Sequence, residues 1–94
     1  MDLDNLIVAG TMLVEELRQR ASEFNGKSSQ HDELSWEAVG VETRVKMLIN
    51  DGYTAFRDES MENNSWGEDL FVHSPEQGKK VVEFYRELYA KVTT

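Results

Sequence analysis

"WEAVGVETRVKMLINDGY", residues 36–53, can be read with either of two periods, and the choice between them sets the fold. Val39, Val41, Thr43, Val45, Met47 and Ile49 occupy every second position, the spacing that lines one face of a strand. Leu34, Ala38, Val41, Val45, Leu48 and Gly52 recur at three- and four-residue steps, the spacing of one helical stripe. Arg44, Lys46, Met47 and Leu48 are good helix formers and tip the reading toward a helix over 36–50. Ser35 is a fitting cap for its start. Gly52-Tyr53 suits its end, because glycine accepts the left-handed backbone that closes a helix.

Both flanks of the chain read as helices. Leu3, Leu6, Ile7, Leu13, Val14, Leu17, Ala21 and Phe24 form one apolar stripe, which predicts a helix over 3–24 closed by Asn25-Gly26. Gly10 inside that stripe costs about 1 kcal/mol relative to alanine and marks a close helix contact. At the other end, Ser74, Pro75 and Gln77 have the order of a capping box, and Val81, Tyr85, Leu88 and Val92 continue as a core stripe.

Between the central and last helices, "YTAFRD" and "DLFVH" read as two short strands joined by the polar "ESMENNSWGE". A helix over 54–61 competes with the first strand. The expected fold is therefore α+β in a single domain over 1–94: long terminal helices and a central helix packed on a two-stranded hairpin. An all-α bundle is the alternative.

Composition narrows the function classes. Eighteen acidic and ten basic residues give a net charge of −8. Each half of the chain carries nine acids and five bases. That balance argues against nucleic acid as a partner, since binding rests on Lys and Arg neutralising phosphates. There is no cysteine, which removes disulfides, thiolate nucleophiles and zinc–sulfur sites. The first twenty residues open on Asp2 and Asp4 and are interrupted by Glu15, so they read as neither signal peptide nor membrane span. A cytoplasmic location is expected.

Three motifs invite chemistry. Gly26-Lys27-Ser28 matches the end of a phosphate-binding loop, but Ala21 stands where the first glycine belongs. The residues before it are helical and "SQHDE" after it looks too polar to open a buried helix, so a cap and a polar connector is the better reading. Lys27 and Ser28 remain the site of the alternative, a small-ligand or nucleotide-binding protein. His31, Asp32 and Glu33 are adjacent and poorly placed to converge on one ion, and His73 reads as a packing or capping neighbour. Neither a metal nor another cofactor is expected, and no serine has a recognisable histidine–acid partner.

The last motif is "DESMENNSWGED", residues 58–69, with five acids and no base. As a calcium loop it fails, because Trp66 falls on a ligand position. As a recognition patch it offers Trp66 as an aromatic anchor, with Asp58, Glu59, Glu62, Glu68 and Asp69 to meet a basic surface. The expected function is thus a non-enzymatic acidic interaction domain: an inhibitor, antitoxin or immunity-type protein, of a phage or mobile element, that covers a basic protein surface. A structural homo-oligomer, a homodimer joined through the stripe of the first helix, is the third reading.

Overall fold

The computed structural model describes residues 2–56 and 67–92. Three helices carry it: α1 (Leu3–Ala21), α2 (Ser29–Asp51) and α3 (Pro75–Val92). Two short 3-10 turns, Gly52–Phe56 and Glu68–Val72, lie between α2 and α3. No strand occurs among the described residues, so the expected α+β fold is corrected to an all-helical bundle. None of these helices is long and apolar enough to cross a membrane.

The stretch 36–53 takes the helical period. Leu34, Ala38, Val41, Val45 and Leu48 are buried. The period-two set splits instead: residues two apart on a helix are about 200° apart, so Val39 and Ile49 stand in solvent while Val41 and Val45 are covered. Thr43 settles into the same geometry by donating its hydroxyl to the Val39 carbonyl at 2.9 Å.

The start of α2 is a second correction. Ser28, not Ser35, is the N-cap, with extended backbone and a hydroxyl that accepts the His31 N–H at 3.2 Å. The polar run after it is helical because only Leu34 must face inward there, and Asp32 in the first turn complements the positive end of the helix. The far end agrees with expectation. Gly52 adopts φ 63° and its N–H closes on the Leu48 carbonyl. α1 stops at Ala21, with Ser22 as its C-cap, three residues short of Phe24; Gly26 is not one of the positive-φ glycines.

α1 meets both other helices antiparallel. Leu3 lies near Gly52, Gly10 faces Val45 and Phe84, and Lys80 reaches Glu16. A Cβ on Gly10 would sit 2.5 Å from Val45 Cγ2 and 2.7 Å from Phe84 Cε2, which confirms the close contact expected at this glycine. α2 and α3 therefore run parallel. The two 3-10 turns between them are held by single fully buried residues. Phe56 is fully buried and meets Tyr89 edge-on at 6.3 Å; Leu70 is fully buried beneath α3.

In each strand-like run the described backbone takes a 3-10 turn with one fully buried residue, Phe56 in the first and Leu70 in the second, rather than a paired edge; Tyr53 and Ala55 pack partly against the same core. Gly67, at φ 66°, lets the second turn approach until a Cβ there would lie 3.0 Å from the Gly78 carbonyl oxygen. An isolated two-stranded hairpin gains little in water; anchoring each run to the helical core buries Phe56 and Leu70 outright.

Candidate functional site

The Gly-Lys-Ser stretch does open a helix, contrary to the polar-connector expectation, but it follows another helix rather than a strand. Its hydroxyl is spent on the fold. Ser28 Oγ donates to the Asn25 carbonyl at 2.6 Å and accepts from His31, while the Lys27 N–H goes to Asn25 Oδ1 at 2.9 Å. Lys27 itself is exposed.

A second polar constellation escaped sequence reasoning because its members are forty residues apart. His73 Nε2 lies 2.7 Å from Glu33 Oε2, and His73 Nδ1 lies 2.9 Å from Ser74 Oγ. Arg20 Nε donates to the same Ser74 Oγ at 3.0 Å, and Arg20 Nη2 donates to the His73 carbonyl at 2.9 Å. One proton arrangement satisfies the whole chain: Nε2–H toward the carboxylate, and the serine hydroxyl toward Nδ1. A serine, a histidine and an acid in line suggest a nucleophile, yet Ser74 is 1% exposed. Its oxygen already accepts from a guanidinium. The chemistry open to this chain is structural: it ties the end of α1, the first turns of α2 and the start of α3 together, with Phe24 edge-on to His73 at 5.5 Å.

Of the acidic patch, Asp58, Glu59, Glu62 and Trp66 lie outside the described residues. Glu68 and Asp69 sit exposed on the second 3-10 turn. The turn adds two residues that sequence reasoning did not single out. Leu70 is the buried residue of the turn; Val72 faces outward beside the two carboxylates with 90% of its surface in solvent, and Phe71 is half-exposed, with one edge of its ring against Gly78 of α3. The signal for them was present in "EDLFV" but was absorbed by the strand reading.

α2 contributes a further carboxyl to this region. Glu37 accepts the Gly67 N–H, and its carboxyl titrates above its ordinary value of 4.5. Burial is the main cause, and the Asp69 charge adds to it; the Gly67 bond and Arg44 oppose it. A raised value means the folded state holds this proton more tightly. Its contribution to stability is then complete below pH 4.5 and is lost as pH rises through the folded value. Glu37→Gln keeps an acceptor for Gly67 and removes the charge. It is expected to raise the Tm at pH 7, with the gain shrinking below pH 4.5; a gain of equal size at both pH values would contradict this.

Two concavities complete the surface. A hollow of about 200 Å³ beside the exposed Trp36 is lined by Asp32, Ser35 and Val39. It is smaller than the roughly 300–1,000 Å³ typical of ligand sites and has room for one side chain. A larger groove of about 440 Å³ runs between α1 and α3 over Leu6, Ala9, Met12, Leu13 and Phe84. Most of the α1 stripe proposed above as a subunit contact is spent elsewhere: Leu6, Leu13, Val14, Leu17 and Ala21 are buried within the chain's own core. No group of three histidine, aspartate or glutamate side chains among the described residues is placed to hold a metal ion.

Comparison with family models, with curated proteins and with solved structures returns no match for this chain. The functional reading therefore rests on its own residues and geometry.

Proposed function

We propose that this chain is a non-enzymatic interaction domain that covers a basic surface of a partner protein, as an inhibitor, antitoxin or immunity-type protein does. The observation that carries the reading is the turn Glu68–Val72, which leaves Glu68, Asp69, Val72 and about half of Phe71 exposed around the single buried anchor Leu70. Apolar side chains bordered by carboxylates have the makeup of an interface, in which desolvated apolar contacts supply affinity and charges supply steering and register. The acid-only stretch that runs into this turn, and the net charge of −8, give the field its sign.

The experiment places a photo-crosslinking amino acid at Phe71, identifies what it captures in native lysate, and measures the affinity of that partner across a salt series. The captured surface is expected to be basic. Affinity is expected to fall with salt, since exposed charges are screened beyond about 8–10 Å at physiological ionic strength. The pair Glu68→Lys and Asp69→Lys is expected to weaken binding at least tenfold. Affinity indifferent to both salt and charge reversal overturns the reading.

A further inference from the structure

Of the large apolar side chains on the described helices, Trp36 is the most exposed, with 75% of its surface in solvent. Aromatic side chains dominate the energetics of cores and interfaces, and this one lies outside the core. The hollow beside it is built by α2 alone. Asp32, Ser35, Trp36 and Val39 stand at i, i+3, i+4 and i+7, neighbours on one helical face. Trp36 and Val39 give the hollow apolar walls, Asp32 a carboxylate and Ser35 a hydroxyl.

The carboxylate stays open to a guest. The Asp32 side chain is 63% exposed, and His31 Nδ1 lies 3.6 Å from its Oδ1, beyond a hydrogen bond. The charged groups around it are engaged or distant. Glu33 bonds His73, and Arg20 is held by Ser74, Glu23 and the His73 carbonyl. Lys27 precedes the Ser28 cap, while Arg44 and Lys46 stand at least about 18 Å further along the helix.

Size and chemistry together select the guest. A space of about 200 Å³ suits a single side chain, and its apolar walls suit a long methylene stem. A guanidinium stacks on an aromatic face and meets a carboxylate through paired N–H groups, which the point charge of a lysine does not. The chain uses the same chemistry inside its own fold. The Arg20 guanidinium lies 4.8 Å from the centre of the Phe24 ring while bonding Glu23, and that of Arg44 lies 5.1 Å from the centre of the Tyr85 ring.

We infer that this hollow binds an arginine side chain of a partner protein, with the guanidinium over Trp36 and against Asp32 and the methylenes on Val39. The inference rests on the reading above for the owner of that arginine. Glu33 and Glu37, each one residue beyond a member of the hollow, bond the His73 and Gly67 ends of the exposed turn. A basic surface seated on the turn therefore reaches the hollow beside it.

Three capped tripeptides, Gly-Arg-Gly, Gly-Lys-Gly and Gly-citrulline-Gly, test the hollow without the partner. Binding is followed by NMR through the indole N–H resonance that Trp36→Leu removes. The arginine peptide is expected to shift that resonance saturably and to bind at least threefold more tightly than either of the others. Asp32→Asn is expected to weaken it at least threefold, and Phe71→Ser to leave it unchanged. No saturable shift, equal binding of the three peptides, or parent affinity in Asp32→Asn overturns the inference. These titrations do not involve the turn, so they fail or succeed apart from the crosslinking experiment. Trp36→Ala is then expected to weaken the partner captured through Phe71 at least tenfold; parent affinity there also overturns the inference.

Discussion

Phe56→Ala is expected to cost about 3–5 kcal/mol of stability, the range found when a large buried aromatic is cut back to alanine. Phe56 has no solvent exposure and stands edge-on to Tyr89 of α3. It is also the first fully buried residue after the Gly52 cap of α2, so it pins the first 3-10 turn to the helices. Folded domains are held by only about 5–15 kcal/mol, and each kcal/mol moves the Tm of a domain this size by about 4–8 °C. The variant should therefore melt far below the parent, and Phe56→Leu should recover most of the loss. Chemical denaturation of the three proteins checks this. A cost below about 1 kcal/mol for the alanine variant would mean that the first 3-10 turn is not anchored at Phe56.

The second large effect lies at the crossing of all three helices. Gly10→Val places a branched side chain where even a Cβ would lie 2.5 Å from Val45 and 2.7 Å from Phe84. Overpacking of this kind typically costs about 1–3 kcal/mol and occasionally more. The helix propensity gained by replacing glycine offsets only part of it. Two companions isolate the cause. Gly26→Ala, with nothing within 4 Å of the added atom, should stay within about 0.5 kcal/mol of the parent. Val45→Ala combined with Gly10→Val should cost less than the sum of the two, because each relieves the other's crowding. Strict additivity would show that Gly10 is not a contact glycine.

Local chemistry made some of this architecture readable from residues alone. Pro75 at the head of α3, Gly52 at the close of α2 and Gly10 at a helix contact each act through a property of one residue, and such properties survive without tertiary context. The start of α2 was harder, because Ser22, Ser28, Ser29 and Ser35 are all plausible caps. What chose Ser28 was the turn Asn25–Ser28, closed by a backbone bond of 2.9 Å, together with a polar first turn of helix that needs no core. The two 3-10 turns had no legible period, since each is fixed by one buried residue and a period requires at least two. For that reason Phe71 and Val72 were read as strand residues, when their exposure is what makes the turn a surface. The tie among Arg20, Glu33, His73 and Ser74 joins three elements, and only the packing of α1, α2 and the start of α3 brings it together.

Glu68 and Asp69 bear directly on the central claim, because both are exposed and neither supports the core. The decisive measurement compares the double variant Glu68→Lys and Asp69→Lys with the parent in two readouts on the same preparations: the denaturation midpoint, and the affinity for the partner captured through Phe71. The account predicts a midpoint within about 0.5 kcal/mol of the parent, as for surface substitutions generally, alongside at least a tenfold loss of affinity. Undiminished affinity with an unchanged midpoint would contradict it.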